Sequence, residues 1–280
     1  MSAVYLPIRS FGDFIITASV LKQHAFEKVP VIIPQYLKNI YNAIHADDYF
    51  DITGEISFTD QPAFFEMYKV RDMANLRRLI RDLMTTIRSL SKANTYLLDY
   101  SSNRMLYTGA KLRWPSKSEN IYQAKHELLL QYFDLKSYRP VAEFTPLNSG
   151  QKRILILPDS RIPSKRINEK LIELIINEFS NHKVHQALFT KNALPENVLA
   201  YNSFEQLLQL IADHDLVISA ESLPYHLANF CNKPHFVVYN NSRHFKSTFM
   251  TPFMQQNSFY AFFEQNNYKT VLNKLNEILF

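Results

Sequence analysis

The sequence has few glycines and a single cysteine. Only Gly12, Gly54, Gly109 and Gly150 occur in 280 residues, where average usage would give about twenty. A loop that cradles a phosphate with several glycines therefore cannot be built, which excludes a P-loop and the Rossmann glycine fingerprint. Since Cys231 has no second cysteine in the chain, intrachain disulfides and thiolate clusters are also excluded, and a reducing compartment is expected.

The sequence also lacks long apolar runs. None approaches the ~20 residues of a membrane-spanning helix, and the first residues follow a strand pattern without the features of a signal peptide. We therefore expect a cytoplasmic globular protein. The net charge of +5 favours an anionic partner: nucleic acid, anionic lipid, or a nucleotide or phosphorylated glycan. Because the basic residues are scattered and form no known reading module, nucleic acid is not expected.

Strand and helix patterns alternate in two blocks, separated by a polar, irregular stretch at 136–152. The second block indicates strands at 153–158, 183–190, 215–220 and 235–239, and helices at 168–180, 204–213 and 223–231. Such alternation implies parallel sheets with right-handed crossovers. We predict an α/β protein with two doubly wound domains facing a cleft, in which ligands bind beyond the carboxyl ends of the strands.

Residues 70–92 show the clearest amphipathic helical pattern. One stripe is apolar and consists of Leu76, Leu79, Ile80, Leu83, Met84, Ile87 and Leu90. Arginines occupy other positions of the same helix, namely 77, 78, 81 and 88. We interpret these arginines as a solvated helix face.

The turn Arg9-Ser10-Phe11-Gly12-Asp13 joins the first predicted strand to the first predicted helix. Asp13 is expected near a helix N-terminus and exposed to the cleft. It has two interpretations: a general base, which needs an ionised carboxylate aimed into the cleft, or a helix cap, which stabilises by roughly 1 kcal/mol. The spacing alone favours the cap.

Two further segments follow predicted strands of the second block. Residues 159–166 contain three cations and two hydroxyls, among them Ser160, Lys165 and Arg166, and such a set can bind a diphosphate. The alternative is a solvated basic loop. In residues 215–228, Ser222 opens a helix whose N-terminus attracts anions, and His226 lies four residues later on the same helical face. Together with Glu221, these residues indicate a site.

Metal binding is not expected. His182 and His185 are isolated from other ligands, and His235 and His244 have no carboxylate at a useful spacing. We predict neither a metal nor a cofactor.

Three of these motifs occur in the order typical of one family. The chain resembles the heptosyltransferases of lipopolysaccharide core synthesis, glycosyltransferases of family 9 with the GT-B fold. The resemblance rests on the Ser-x-x-Gly-Asp-type turn at 10–13, on Lys165-Arg166 as part of a Lys-Arg-Trp-Pro segment, and on a late signature at 215–228. It covers nearly the whole chain.

The resemblance implies an inverting, metal-independent transfer of a sugar from a nucleotide-sugar to an anionic surface glycan or glycolipid, at the inner face of the membrane. Asp13 would be the catalytic base, and Arg9 and Ser10 would bind the acceptor. Lys165 would neutralise the leaving diphosphate. The other residues expected to bind the donor are Ser160, Arg166, Glu221, Ser222, Leu223 and His226. Peripheral contact with the membrane is left open.

The resemblance also implies a division into Rossmann-like domains. Residues 1–148 would form the acceptor-side domain and residues 149–264 the nucleotide-sugar domain, while a last helix within 265–280 would pack back on the first domain. Leu223 replaces the glycine of the family signature, and its side chain is expected to hinder a phosphate that approaches the backbone. One alternative hypothesis is therefore a non-catalytic GT-B relative that binds a glycan or a partner glycosyltransferase. A further alternative is a sugar-nucleotide epimerase or hydrolase.

Overall fold

The chain divides into two compact units, Met1–Arg139 and Pro140–Phe280. The structure, a computed structural model, describes residues 3–8, 10–24, 28–60, 62, 73–89, 95–98, 105–108, 111–113, 118–133, 135, 150–190, 192, 194, 198–240, 242, 245, 247–263 and 267–279. The boundary between the units lies within the stretch predicted as a linker at 136–152. The predicted boundary after residue 148 stays a prediction, since residues 136–149 are outside the described ranges.

The first unit is a sheet with helices between its strands. Its elements are β1 (Ala3–Leu6), α1 (Phe11–Leu21), β2 (Val29–Pro34), α2 (Lys38–Ala43), β3 (Phe50–Ile56), α3 (Met73–Ser89), β4 (Thr95–Leu98), β5 (Met105–Thr108), β6 (Lys111–Arg113) and α4 (Ile121–Tyr132). The strand order is β3-β2-β1-β4-β5-β6. The first four of these are parallel, whereas β5 and β6 run antiparallel to their neighbours. Only two residues separate β5 from β6, too few for a parallel crossover.

The second unit has one sheet in which every described pairing is parallel. Its elements are β7 (Arg153–Leu157), α5 (Glu169–Glu178), β8 (Lys183–Phe189), β9 (Val198–Tyr201), α6 (Phe204–Asp213), β10 (Leu216–Ala220), α7 (Leu223–Phe230), β11 (His235–Tyr239), α8 (Pro252–Asn257), β12 (Tyr260–Phe262) and α9 (Tyr268–Leu279). The strand order β12-β11-β10-β7-β8-β9 is that of a Rossmann sheet, 3-2-1-4-5-6 in the order of the strands along the chain, seen from the other edge.

Hydrophobic strands form the centre of the second unit. All residues of β10 and β11 are buried, as expected for strands that helices cover on both faces. The helix α9 joins this core through Val271, Leu275 and Leu279 and packs against α5 and β12. The apolar side of the last helix is thus used within the second unit, and its predicted contact with the first domain stays a prediction.

Polar residues at helix starts set several boundaries. The side chains of Ser10, Asn120, Asn168 and Ser203 accept hydrogen bonds from backbone N–H groups in the first turns of α1, α4, α5 and α6. Such caps satisfy donors that have no partner within the helix. They end the preceding loops at fixed residues, and in the first unit this places Asp13 in the first turn of α1.

The helix α3 is oriented differently from the other amphipathic helices. Its buried residues are Leu79, Asp82 and Thr86, whereas most of its apolar stripe is exposed. The exposed members are Met73, Leu76, Ile80, Leu83, Met84 and Ile87. The apolar stripe of an amphipathic helix ordinarily faces the core. The helix α3 therefore exposes to solvent the side that the other amphipathic helices bury.

Candidate active site

The switch point of the second sheet lies between β7 and β10, where the strand order reverses. In open parallel sheets, ligands bind outside the carboxyl ends of the strands at this point. The segment that follows β7 spans residues 158–168 and contains a short turn of 3-10 helix at Pro163–Lys165. The N–H of Ile167 donates to the Pro158 carbonyl at 3.1 Å and closes this loop. Glu221 and Ser222 connect β10 to α7.

These two segments meet through an ion pair. The Nζ atom of Lys165 lies 2.6 Å from Oε2 of Glu221, and the two side chains are 24% and 11% exposed. The structure thus brings together two of the residues that the sequence predicted for donor binding. The pair holds an ammonium group, still reachable from solvent, at the switch point of the sheet.

Asn240, directly after β11, holds the Lys165 loop in place. Its Nδ2 donates to the carbonyl oxygens of Ser164 at 2.5 Å and Arg166 at 2.7 Å. The two acceptors are the residues on either side of Lys165, so one amide fixes the backbone from which the ammonium extends. Sequence reasoning did not assign this role to Asn240. Its position beyond the carboxyl end of the strand beside β10 is the signal that would have found it.

The first turn of α7 has no side-chain cap. Ser222 is the N-cap residue, but its hydroxyl does not cap the helix; it donates to the carbonyl oxygen of Asp159 at 3.1 Å. This bond ties the loop after β10 to the loop after β7. Leu223 is the first residue of the helix, and it is partly buried.

His226 lies inside the site rather than on its surface. It is 5% exposed, and its ring centroid lies 3.8 Å from that of Tyr225. Burial, together with the nearby His235 and the charge of Lys165, holds the pKa of His226 well below its ordinary value. The imidazole is therefore neutral at pH 7, and any contribution to anion binding would come from a hydrogen bond.

Two buried polar atoms beside the ion pair have no hydrogen-bond partner among the described residues. They are the hydroxyl of Tyr239 and Oδ1 of Asn240. Burial, and then the negative charge of Glu221, raises the pKa of Tyr239, so its phenol stays protonated and able to donate. A buried polar group without a partner is uncommon in folded proteins and is often satisfied by water or a ligand.

Arg166 and Ser160, which were also predicted to bind the donor, lie on the same loop as Lys165 but have different surroundings. Arg166 is exposed; its Nε donates to the Ser160 carbonyl at 3.2 Å and lies 3.9 Å from Oδ1 of Asp159. The Ser160 hydroxyl is buried and accepts from the N–H of Ile162 at 3.3 Å. Both side chains stabilise the loop itself, and their contact with a donor stays a prediction.

In the first unit the switch point lies between β1 and β4, and the turn after β1 carries Ser10 and Asp13. The Ser10 hydroxyl accepts from the N–H of Asp13 at 3.2 Å and donates to its Oδ2 at 2.6 Å. The interpretation of Asp13 as the helix cap is wrong, because Ser10 is the N-cap. Asp13 is also only 5% exposed, whereas the sequence predicted that its carboxylate is exposed to the cleft. Arg9 lies outside the described residues.

Further buried polar groups lie close to Asp13. The hydroxyls of Tyr5 and Thr17 lie 3.0 Å apart, and the Thr17 hydroxyl donates to the Asp13 carbonyl at 3.2 Å. Burial raises the pKa of Tyr5 well above its ordinary value, and the charge of Asp13 adds to the shift. The Asp13 carboxylate thus accepts a hydrogen bond from the Ser10 hydroxyl, and the backbone of Asp13 is held by Ser10 and Thr17.

Solved structures similar to this chain include bacterial glycosyltransferases. Escherichia coli heptosyltransferase WaaC, solved with ADP, matches with a TM-score of 0.59 and 12% identity, over 98% of this chain and 99% of its own. The glycosyl transferase family 9 protein of Veillonella parvula matches with a TM-score of 0.57 and 11% identity, over 99% and 97%. Escherichia coli ADP-heptose lps heptosyltransferase II matches with a TM-score of 0.50 and 13% identity, over 100% and 98%.

The chain has the GT-B fold of these heptosyltransferases. The fold class predicted from the sequence, two Rossmann-like α/β domains, is confirmed, and the resemblance is confirmed at the level of the fold. No protein-family model and no curated protein sequence matches the chain.

Two kinds of feature are absent from the described residues. No cluster of three or more His, Cys, Asp or Glu side chains that could hold a metal ion was found in the described ranges. Within the same ranges, none of the helices combines the length and the apolar character needed to cross a bilayer.

Proposed function

We propose that this protein is an inverting, metal-independent glycosyltransferase. It would move a sugar from a nucleotide-sugar donor to an anionic surface glycan, of the lipopolysaccharide core, capsule or O-antigen type, at the inner face of the membrane. The observation that carries the proposal is the Lys165–Glu221 ion pair at the switch point of the second sheet. Similar folds solved with ADP and with ADP-2-deoxy-2-fluoro heptose support a nucleotide-sugar as the donor.

The second unit would bind the donor through its diphosphate. Lys165 is a point charge suited to phosphate, and a diphosphate would compete with Glu221 for the ammonium. The first-turn N–H groups of α7, which lack a side-chain cap, would add donors and the positive end of the helix dipole. Tyr239 and Asn240 have a hydroxyl and an Oδ1 without a hydrogen-bond partner among the described residues; the hydroxyl would donate to the sugar or the nucleotide, and the Oδ1 would accept from it.

The first unit would supply the base. In the proposed reaction, the Asp13 carboxylate takes the proton from an acceptor hydroxyl, whose oxygen forms a bond to the anomeric carbon of the donor. The bond from that carbon to the diphosphate oxygen breaks, with inversion, and Lys165 neutralises the charge that develops on the leaving group. Ser10 orients the carboxylate through its 2.6 Å hydrogen bond.

The test has two stages. A thermal-shift screen with ADP, UDP, GDP and CMP, each with and without a common sugar, is expected to find one base that stabilises the protein. A ligand at ~100 times its Kd adds about 2.7 kcal/mol, which corresponds to several degrees in Tm. The sugar form of that nucleotide is then incubated with deep-rough lipopolysaccharide, and transfer of labelled sugar is measured.

The outcomes separate the hypotheses. Transfer that requires both donor and acceptor supports the proposal. Consumption of the donor without acceptor would instead assign the chain to sugar-nucleotide hydrolysis or epimerisation. Stabilisation by no nucleotide at concentrations of several millimolar would overturn the proposal in favour of a non-catalytic relative.

Leu223 is the observation that favours the non-catalytic alternative, a GT-B relative that binds a glycan or a partner glycosyltransferase. It takes the position of a signature glycine at the first residue of α7, where an isobutyl group can hinder a phosphate. If the side chain blocks the donor, Leu223→Gly should tighten nucleotide binding. Isothermal titration of both proteins measures this, and an unchanged Kd would remove the reason for the alternative.

A further inference from the structure

The proposed reaction does not use the exposed apolar side of α3. Six of the ten large hydrophobic residues that are exposed in the described parts of the chain lie on this one helix. Ile80 and Ile87, one above the other on the helix, are 53% and 58% exposed. The remaining exposed residues are scattered over other elements, and single exposed hydrophobic residues are ordinary.

The residues around the helix fall into three adjoining strips. At about 100° per residue, Leu79, Asp82 and Thr86 form the buried strip. The apolar strip follows and covers about 100° of the circumference; it consists of Met73, Leu76, Ile80, Leu83, Met84 and Ile87. Arg77, Arg81 and Arg88 form the third strip, directly beside the apolar one.

The charged residues of this surface are mainly cations, although Arg78, outside the arginine strip, lies 3.4 Å from the exposed carboxylate of Asp60. Asp82 is the only acidic residue of α3; it is 4% exposed, and its carboxylate pairs with Arg78 at 3.8 Å and Arg81 at 3.4 Å. The helix therefore carries four arginines against one buried carboxylate. An apolar strip bordered by cations, on a helix that is not apolar overall, is the pattern of helices that lie in the interface of an anionic membrane.

We propose that α3 is the surface by which this protein docks on an anionic lipid membrane. The helix lies parallel to the bilayer, its apolar strip enters the region between headgroups and acyl chains, and the arginine strip contacts lipid phosphates. This inference rests on α3 alone and holds whether or not the chain transfers sugars.

A second copy of the chain fits this surface less well. Two such helices packed through their apolar strips would bring like-charged arginine strips together, and the exposed acid beside α3, Asp60, already pairs with Arg78. A protein partner would need a groove complementary to a convex row of Leu, Ile and Met side chains. Fluid acyl chains accommodate that row without a matching shape, and anionic headgroups supply the opposite charge.

Vesicle co-sedimentation of the full chain tests the proposal. Vesicles of phosphatidylcholine with 30% phosphatidylglycerol are expected to bind the protein at least tenfold more tightly than vesicles of phosphatidylcholine alone, and 0.5 M NaCl should weaken the binding. Ile80→Ser/Ile87→Ser should reduce partitioning more than tenfold. Arg77→Gln/Arg88→Gln should reduce it about fivefold for each arginine removed.

Matched variants control for general loss of apolar surface or charge. Phe189→Ser removes an equally exposed hydrophobic residue from β8, and Lys183→Gln/Lys269→Gln removes two exposed cations from the second unit; both should bind vesicles like the original protein. Circular dichroism melts check that each variant is folded. All the substituted side chains on α3 face solvent, so folding is expected to survive.

A labelled protein reports the orientation directly. In a Cys231→Ser background, an environment-sensitive dye attached through Met84→Cys should shift to the blue with the anionic vesicles, while the same dye at Phe189→Cys should not. Binding that persists in both α3 variants, or that is equal on neutral vesicles, would overturn the proposal. So would a dimer, seen by sedimentation equilibrium, that Ile80→Ser/Ile87→Ser abolishes in a protein that binds no vesicles.

Discussion

The two units share a strand order but carry different charged groups at their switch points. In the first, the turn after β1 leads directly into α1 and places the carboxylate of Asp13 in the first helical turn. In the second, a longer loop follows β7 and places the ammonium of Lys165 beside Glu221. The topology therefore fixes where a loop lies, whereas the length and residues of the loop decide whether that position holds a carboxylate alone or an ammonium group paired with a carboxylate.

The helices of the two units also differ in what they bury. The helix α6 buries the apolar residues Leu207 and Ile211 against its own sheet, and α9 does the same with its apolar side. The helix α3 has the same kind of periodicity but buries Asp82 and exposes Ile80 and Ile87. An amphipathic pattern thus identifies a helix and its apolar side without identifying what that side contacts.

Replacement of the carboxylate in the first unit is expected to have the largest effect. Asp13→Asn keeps an oxygen that can accept from the Ser10 hydroxyl but cannot take a proton, so transfer should fall by about 10²–10⁴-fold while the Kd for the nucleotide stays unchanged. Turnover with labelled donor and titration with nucleotide measure the two quantities.

Ser10→Ala is the control for structure at this turn. It removes the cap of α1 and is expected to lower the free energy of unfolding by about 1 kcal/mol, without the full loss of turnover. If Asp13→Asn still transfers sugar at the original rate, Asp13 is not the catalytic base. The proposed contrast, in which the first unit supplies a base and the second binds an anion, would then be lost.

The cation of the second unit should show the next largest effect. Lys165→Ala removes a charge-assisted contact with the diphosphate, worth about 1.5–3 kcal/mol, so affinity for nucleoside diphosphate should fall about 10- to 100-fold. Affinity for the nucleoside should not change. Lys183→Ala, at the opposite end of the same sheet, is the matched control, and an equal loss for nucleoside and nucleoside diphosphate would argue against phosphate contact.

Acid should destabilise the second unit more than the first. Burial lowers the pKa of His235 to about 4, and burial also lowers the pKa of His182, His214 and His226. In the described part of the first unit, the same holds only for His24 and His126. Between pH 6.5 and 4 the unfolded chain binds a proton that folded His235 does not, so stability falls as the pH falls.

From pH 7 to pH 5 the loss from His235 alone is about 2 kcal/mol. Hydrogen exchange, corrected for intrinsic rates, should therefore show protection falling further in the second unit than in the first. His235→Asn should reduce the pH dependence of the second unit. Equal losses in both units would contradict the prediction.

The sequence predicted the central strands of the second unit well because β7, β10 and β11 are almost entirely buried. Continuous apolar runs such as Leu216–Ala220 and His235–Tyr239 are separated by a helical pattern, and the four strands predicted in this unit lie within two residues of those observed. Elements at the sheet edges were missed, among them β9 and β12 of the second sheet. The strand β3, Phe50–Ile56, lies at an edge of the first sheet and is mostly exposed, so its sequence has no such run.

Contacts between distant segments were also beyond the sequence. Both Ser10 and Asp13 are residue types that cap helices, and only the geometry assigns the cap to Ser10. Glu221 and Lys165 were each placed at a strand end, but their 2.6 Å contact depends on the adjacency of β7 and β10. Asn240 reaches backbone 74 residues earlier in the chain, a contact that local patterns cannot indicate.

Substitution of Asn240 therefore tests how the second unit differs from the first, and it is the test with the smallest expected effect. In the first unit the Asp13 carboxylate is held by Ser10, the cap residue of its own helix, whereas the Lys165 loop is held by Asn240, which follows a distant strand. Asn240→Ala removes both hydrogen bonds to the loop, and we expect affinity for nucleoside diphosphate to fall about tenfold with little change in affinity for nucleoside. Asn240→Gln, which keeps the amide on a longer side chain, should recover part of the loss. A loop that needs no such support would leave both affinities unchanged, and the position of Lys165 would then be set by Glu221 alone.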